Sequence, residues 1–289
     1  MRIRATVAAV SGAIVLSALA VPAAQADEGR PWTLQPGFKA VQPKVGDTSK
    51  QAFGATAKGA APEITSAVVN AGKPIVIGTK VKKTVSFSAT ATADADIGGV
   101  GGVAAFIWTG KSIDDEDSFA FGPNAKSLSC TAVNATTTTC KGTITLDPAE
   151  MINSDATTWH VGAVAVTEYG DEFKDYSVSR VRVQSFSQLT VNASPEPVKK
   201  GKIITVTGKL TRANWDTGTY KGYINQSVQL QFKKKGAKSY TTLRTVKTGS
   251  TGTLKTTVKA TADGTWRYSF AGKSNTAAVS STGDYVDVK

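Results

Sequence analysis

The residues that could carry catalysis are few in this 289-residue chain. His160 is its one histidine, and it stands in the strand-like run Trp159-His160-Val161-Gly162. A lone strand histidine is typical of a packed or half-exposed side chain, because a general base needs a partner within hydrogen-bond reach. The chain has no nucleophile elbow, HExxH, P-loop or dinucleotide fingerprint in a supporting context. We therefore predict a non-enzymatic protein, with an extracellular hydrolase that uses two carboxylates as the third alternative.

Acidic residues of the first half gather in three turn-like segments. Carboxylates beside glycine-rich turns are the oxygen ligands that calcium prefers, although none of these segments has EF-hand spacing. The alternative interpretation is that the charged turns are simply solvated. The three groups are Asp94 and Asp96; Asp114, Asp115, Glu116 and Asp117; and Glu168, Asp171, Glu172 and Asp175.

Basic residues dominate the second half. Residues 186–289 contain 17 Lys and Arg against 5 Asp and Glu, whereas residues 61–185 contain 10 against 14. A surface potential of one sign attracts polyanions, such as anionic cell-wall polymers, acidic glycans or nucleic acid. No sequence-specific nucleic-acid-binding motif is present, and a lysine triplet alone is also typical of a solvated turn. The lysines expected to contact a polyanion are Lys199, Lys200, Lys233, Lys234, Lys235 and Lys238.

Cys130 and Cys140 are the two cysteines of the chain. A hairpin centred on residues 134–136 would place them directly opposite each other, within disulfide reach. Pairing is the default in an exported protein, and the spacing does not fit a CxxC metal site. We predict a structural disulfide that contributes about 2–3 kcal/mol through the short loop that it closes.

The first 26 residues are typical of an export signal. Arg2 and Arg4 precede an apolar run from Ala5 to Leu19, and small residues lead to a cleavage site after Ala26. The apolar run is shorter than the ~20 residues that a membrane-spanning helix needs. We expect a secreted protein without a membrane span in its mature form, either free or held non-covalently at the cell wall.

The elements that must position these groups are β-strands. Short alternating segments with turn signals between them, and no long segment of 3.6-residue period, are typical of antiparallel β-sandwiches. We predict an all-β protein with two tandem Ig-like sandwiches, an acidic one over residues 61–185 and a basic one over residues 186–289. Residues 27–60, rich in proline and glycine, are expected to form a flexible leader.

Seven strands are expected in each sandwich, with one helical turn over Asp147-Pro148-Ala149-Glu150 because aspartate caps and proline starts helices. The strands expected in the first sandwich are Ile64–Asn70, Lys83–Ala93, Val103–Trp108, Ser127–Val133, Thr137–Leu146, Thr158–Thr167 and Tyr176–Gln184. Those expected in the second begin in the segments 189–191 and 203–207 and continue with Ser227–Lys233, Tyr240–Lys247, Thr253–Ala260, Thr265–Ala271 and Asp284–Lys289.

This order of strands predicts where the acidic turns meet. If the strands ending at Ala93 and starting at Val103 are B and C, and the last two are F and G, the B–C and F–G loops gather at one end. The block Asp114–Asp117 would then lie at the opposite end. Carboxylates held together repel one another unless a cation lies among them, so we predict a weak calcium site. Its expected ligands are Asp94, Asp96, Glu168, Asp171 and Glu172.

Longer motifs carry a family resemblance. The stretch LTVNASPEPVKKGKIITVTGKLTRANW, followed by SVQLQFKKKG, DGTWRYSFAG and GDYVDVK, resembles the C-terminal Ig-like module of secreted actinobacterial proteins, commonly labelled uncharacterised or calcium-binding. The stretches ATATADADIGG and WHVGAVAVTEYGDE are more loosely similar to repeat-type extracellular Ig-like domains. The resemblance implies Ig-like folds and a possible role for calcium, and it brings no catalytic residues.

The sequence therefore predicts a secreted, non-enzymatic Ig-like module that acts in binding or as a structural element at or near the cell envelope. Its basic domain would contact anionic polymer. The alternative is a calcium-binding extracellular protein that uses the acidic turns of its first domain.

Overall fold

A computed structural model of the chain describes residues 62–94, 99–115 and 117–289. The predicted signal peptide and leader lie outside the described residues, as do Asp96 and Glu116. Regular structure is almost entirely β-strand, so the predicted all-β class is confirmed. No helix in the described ranges has the length and apolarity needed to cross a bilayer.

The first sandwich has two antiparallel sheets that face each other across one core. Its strands are β1 (Glu63–Val69), β2 (Ile75–Ile77), β3 (Lys83–Thr92), β4 (Val100–Thr109), β5 (Phe119–Phe121), β6 (Ser129–Ala132), β7 (Thr137–Leu146), β8 (Thr158–Thr167) and β9 (Glu172–Ser185). One sheet has the order β1-β3-β7-β6 and the other β2-β9-β8-β4-β5, in which only the β2–β9 pair is parallel. With β3, β4, β8 and β9 as strands B, C, F and G, this is the Ig-like arrangement.

The alternation of apolar and polar residues along β3 determines which of its side chains are buried in this core. Val85, Phe87, Ala89 and Ala91 are buried on one face, as their spacing predicts. The central strands β4 and β8 are instead buried on both faces over most of their length. Gly162 of β8 has no room for a side chain, because a Cβ there would collide with the ring of Phe106 on the paired strand.

Among the described residues, four short 3-10 turns complete the first sandwich. They span Asn70–Gly72, Ala125–Ser127, Pro148–Glu150 and Asn153–Asp155. The predicted helical turn after Asp147 is confirmed: the aspartate side chain accepts a 2.9 Å hydrogen bond from the backbone N–H of Ala149, and Pro148 starts the turn.

The second sandwich repeats the plan with its own core. Its strands are β10 (Ser187–Leu189), β11 (Asn192–Ser194), β12 (Ile203–Asn214), β13 (Thr219–Gly222), β14 (Ser227–Lys234), β15 (Thr241–Lys247), β16 (Thr253–Lys259), β17 (Gly264–Phe270), β18 (Val279–Ser280) and β19 (Asp284–Val286). The long strand β12 pairs with β10, β11, β13 and β16, and the facing sheet runs β15-β14-β17, with β18 and β19 beside β17.

Aromatic side chains fill the second core, as expected from their alternation. Trp266, Tyr268 and Phe270 of β17 are at most 3 % exposed, and Leu230 of β14 is fully buried, whereas Phe232 packs at the margin. The Tyr268 hydroxyl donates a 3.0 Å hydrogen bond to the carbonyl of Val206, and burial raises its pKa to about 12. A polar tip that is buried thus has a partner on the opposite sheet.

Several predicted strand limits need correction. Strand β9 begins at Glu172 rather than Tyr176, so Glu172 and Asp175 belong to a strand and not to the predicted turn. Strand β4 starts at Val100, which shortens the predicted B–C connection. The sequence analysis missed β2, β5, β13 and β18, which have two to four residues each and no alternation long enough to recognise.

The junction of the two sandwiches is built from both. Ala213 and Trp215, at the end of β12, are buried in the core of the first sandwich. The Trp215 indole N–H donates a 2.8 Å hydrogen bond to the carbonyl of Gly78, and its backbone N–H donates to the Asn153 side chain at 3.0 Å. Asn153 in turn contacts the carboxylate of Asp216. The chain that begins the second sandwich thus completes the first one.

Candidate functional site

Backbone pairing gathers one end of the second sandwich around the start of β12. Ile203 pairs with Lys259 at the end of β16. The turn before β12 is attached there, since the N–H of Gly201 donates to the carbonyl of Ala260 at 2.7 Å and the N–H of Ala260 donates to the carbonyl of Lys202 at 2.8 Å. This is the end of the second sandwich farthest along β12 from Trp215.

The lysine triplet reaches the same end through β14. Lys234 pairs with Gly264, and the N–H of Lys235 donates to the carbonyl of Asp263 at 2.8 Å, in the turn that follows Ala260. The last residue, Lys289, is joined to Lys200 through a 2.8 Å backbone hydrogen bond. The polyanion-contact residues predicted from the sequence therefore lie at one end of the second sandwich.

We call this surface the basic end. It consists of Lys199, Lys200, Lys202, Lys233, Lys234, Lys235, Lys238, Lys259 and Lys289. The sequence analysis did not single out Lys202, Lys259 and Lys289 as contacts, because only the pairing of distant segments brings them to this surface.

One ion pair lies within the basic end. Lys235 Nζ lies 3.5 Å from the Asp263 carboxylate. The pKa of Lys235 is raised by Tyr285 and then by Asp263. The pKa of Asp263 is lowered, first by the N–H of Val288, which donates to it at 2.9 Å, and then by Lys235. One carboxylate partly offsets one lysine, which leaves most of the positive charge of the surface.

Two residues beside the basic end were missed by sequence reasoning. The Arg267 guanidinium lies over the ring of Tyr240, with its carbon 3.7 Å from the ring centroid, and Lys233 Nζ lies 5.1 Å from the same centroid. Tyr240 precedes β15 and Arg267 lies on β17, so no spacing in the sequence relates them.

The acidic turn of Glu168 and Asp171 lies beside the start of β4. Val100 pairs with Thr167, which places the start of β4 next to the turn that begins at Glu168. Asp171 is held in that turn by two hydrogen bonds between its backbone and Thr167. A cleft of about 560 Å³ opens there, and Glu168 lies in its wall.

The calcium-ligand set is not assembled by the described residues. Glu172 lies on β9 and forms a 3.0 Å ion pair with Lys174, and Asp96 lies outside the described ranges. In the part of the chain that the structure describes, no three acidic, histidine or cysteine side chains are grouped so that they could hold a metal ion. The block that begins at Asp114 follows the far end of β4, opposite this turn, as predicted.

His160 is packed against side chains of the two neighbouring strands. Its ring stacks on Trp108 at a centroid distance of 4.4 Å, and Nδ1 lies 2.9 Å from the Ser177 hydroxyl. Burial, and then the nearby charge of Arg180, lowers its pKa. The half-exposed strand histidine expected from the sequence is confirmed.

The predicted disulfide is also confirmed. Cys130 of β6 pairs directly with Cys140 of β7, and the two sulfur atoms are bonded. Cys140 is fully buried and its sulfur receives the N–H of Val103 at 3.2 Å, whereas every residue of β6 is exposed. The bond therefore attaches an exposed edge strand to the core.

Comparison with known proteins gives a match to a family over part of the chain and no activity. Residues 76–165 match DUF5707, a family of unknown function, and no curated protein matches the chain. Three solved structures are similar at low TM-score. A tetra-tandem repeat of a large adhesion protein is 14 % identical over 77 % of this chain and 49 % of its own (TM-score 0.28). The Escherichia coli adhesin FdeC is 18 % identical over 80 % and 66 % (0.27), and mouse nectin-like molecule 4 is 14 % identical over 79 % and 64 % (0.22). The chain thus spans about half to two thirds of the length of these structures.

Proposed function

We propose that this protein is a secreted, non-enzymatic binding or structural module that acts at or near the cell envelope, and that the basic end of its second sandwich contacts anionic polymer. The observation that carries the proposal is the gathering of lysines from four separate segments at one end, where the one ion pair that its described residues form, Lys235 with Asp263, offsets little of their charge. Charges of one sign on one surface attract a polymer that carries many charges of the other sign.

Two features of the first sandwich support an extracellular role without catalysis. The disulfide between Cys130 and Cys140 is the kind of bond that persists in oxidising compartments outside the cytosol. The one histidine of the chain is stacked on Trp108 and hydrogen-bonded to Ser177, which are residues of the two neighbouring strands. We propose that the first sandwich serves as scaffold and the second as the contact with the polymer.

The test compares charge reversal at two ends of the same sandwich. Lys233, Lys234 and Lys235 are changed together to Glu in the full chain, and binding to inorganic polyphosphate is measured at low and at high ionic strength. The matched control changes Lys221, Lys247 and Lys273 to Glu, because these exposed lysines lie toward the junction end.

We expect the first triple variant to lose about tenfold or more in affinity at an ionic strength of about 0.1 M and the control to lose much less, since exposed charges farther apart than ~8–10 Å are largely screened under that condition. High salt should release the wild-type protein. Equal losses in both triple variants, or wild-type binding that ignores salt, would contradict the proposal.

A calcium-dependent module is the second candidate, and the pairing of Val100 with Thr167 favours it, because this pairing brings the start of β4 to the turn of Glu168 and Asp171. A cation bound only by the folded protein would raise the melting temperature. We expect millimolar calcium to raise the melting temperature of the full chain relative to chelator.

The shift should disappear when Asp96 and Asp171 are both changed to Ala, whereas Asp114→Ala, at the opposite end of the sandwich, should leave it intact. If the melting temperature of the wild type does not shift, or if the double variant shifts equally, the calcium proposal is contradicted and these turns are ordinary solvated acidic turns.

A further inference from the structure

The outer face of the sheet β15-β14-β17 carries two cations on one tyrosine ring. The Arg267 guanidinium carbon lies 3.7 Å and the Lys233 ammonium 5.1 Å from the centroid of Tyr240. Both cations are attracted to the ring quadrupole. Because both lie so close to one centroid, their charged centres are at most 8.8 Å apart, the sum of the two distances.

A chain of side-chain hydrogen bonds fixes the guanidinium. Arg267 Nε donates to Gln231 Oε1 at 2.8 Å. The Gln231 amide nitrogen donates to Gln229 Oε1 at 3.0 Å and to Thr242 Oγ1 at 3.1 Å, which sets the orientation of the amide. The stacked guanidinium is thus held by its ring face and by one edge, and its two terminal nitrogens keep donors for a ligand.

Neither cation is neutralised by the sheet. Among the described residues, no carboxylate forms an ion pair with Arg267 or Lys233, in contrast to the neighbouring Lys235. Gln231, Gln229 and Thr242 are uncharged, so the surface between the strands presents two positive charges with no negative one. Two like charges at this distance repel, and an anion between them would relieve that repulsion.

We propose that Arg267, Lys233 and Tyr240 form a subsite for one tetrahedral oxyanion, the phosphate or sulfate group of an anionic polymer. The subsite rests on the proposed function and specifies which group of the polymer is recognised. Guanidinium nitrogens bind such a group through paired, charge-assisted hydrogen bonds of about 2.7–2.9 Å. A tetrahedral group directs oxygens toward both cations at once, whereas a planar carboxylate has only two oxygens and is satisfied by the guanidinium alone.

The position of the subsite suits a repeating ligand. Lys233 belongs both to the subsite and to the lysine triplet of the basic end. A polymer seated at Arg267 would therefore continue over Lys234 and Lys235. The subsite would select the group, and the basic end would add a salt-dependent attraction that does not depend on the group.

The experiment compares two arginines on opposite faces of one sheet. Arg267→Gln removes the subsite guanidinium. Arg244→Gln is the matched control: Arg244 pairs with the buried Leu230, and its guanidinium contacts Thr256 of the other sheet at 3.4 Å. Each variant loses one positive charge. Arg267→Lys keeps the charge and loses the planar fork, so it separates recognition from charge.

Affinity is measured on the full chain with polyphosphate, dextran sulfate and polyglutamate of similar length, and melting temperatures confirm folding. We expect Arg267→Gln to weaken binding of polyphosphate, dextran sulfate or both by about tenfold, Arg267→Lys by more than about threefold, and Arg244→Gln by less than about twofold. The affinities of Arg267→Gln and Arg244→Gln for polyglutamate should differ only slightly.

A loss confined to one of the two tetrahedral polymers would support the subsite and identify its ligand. Three outcomes would overturn the subsite: equal losses of affinity for Arg267→Gln and Arg244→Gln, undiminished binding by Arg267→Lys, or a loss by Arg267→Gln relative to Arg244→Gln that is as large with polyglutamate as with the tetrahedral polymers. Wild-type protein that binds no polymer at low salt would instead refute the proposed function itself, so the two failures are distinguishable.

Discussion

The two sandwiches share the order of their central strands and differ in what they expose. In the first, the central strands β4 and β8 consist largely of valine, alanine and glycine and are buried on both faces. In the second, the central strands β14 and β17 alternate, with aromatic and aliphatic side chains inward and Gln229, Gln231 and Arg267 outward. The central strands are thus buried on both faces in the first sandwich, whereas those of the second present a polar face.

The difference extends to how each sandwich is held together. The first has a disulfide that attaches its exposed edge strand and receives Trp215 from its neighbour. The second has no cysteine and relies on Trp266, Tyr268 and Phe270. Strand order therefore indicates neither charge nor chemistry, and the functional argument must come from the side chains of each surface.

Trp215→Ala should have the largest effect on this comparison, because it removes a side chain of one sandwich from the core of the other. Trp215 is 5 % exposed and bonds to the Gly78 carbonyl, so we expect a loss of about 3–5 kcal/mol in the free energy of unfolding. Urea unfolding measures it. Tyr169→Ala, at a side chain that is 74 % exposed, is the control and should change stability by less than about 0.5 kcal/mol. A loss no larger than that of the control would show that the sandwiches are independent.

Removing the disulfide should have the next largest effect, and it should act through the first sandwich. Changing Cys130 and Cys140 together to Ser is expected to cost about 2–3 kcal/mol, since the closed loop is short. Equilibrium unfolding with and without reductant measures the cost in the wild type, and the double variant should not respond to reductant. A folded native protein in which alkylation labels both cysteines would contradict the pairing.

The smallest effect concerns pH, and it also belongs to the first sandwich. Burial and Arg180 lower the pKa of His160, so the folded state favours the neutral ring. The contribution of His160 to the free energy of unfolding is fully present above pH 6.5, the ordinary pKa of histidine. It is lost as the pH falls from 6.5 through the lowered pKa of the folded state. His160→Gln should remove this part of the pH dependence of the melting temperature. A wild-type melting temperature that is flat across this range, or a variant with the same slope, would count against it.

Local patterns were sufficient for the long elements. The limits of β7 and β8 agree with the prediction to the residue, because both strands have ten residues of sustained strand pattern between clear turns. The opposition of Cys130 and Cys140 followed from hairpin geometry, and the turn after Asp147 followed from capping chemistry. Strands such as β2 and β5 could not be found this way, since a strand of three residues forms only by pairing with a neighbouring strand that is already in place.

The sequence by itself determined the strands, the hairpin disulfide and the uneven charge, since alternation, turn chemistry and composition are local properties. Only the tertiary structure decided which distant residues meet. Trp215 enters the first core because β12 continues beyond its own sandwich, and the lysines of the basic end meet because β12 begins where β14 and β16 end. Arg267 reaches Tyr240 across β14 for the same reason: cross-strand contacts depend on strand order and register, which the spacing of residues within one strand does not contain.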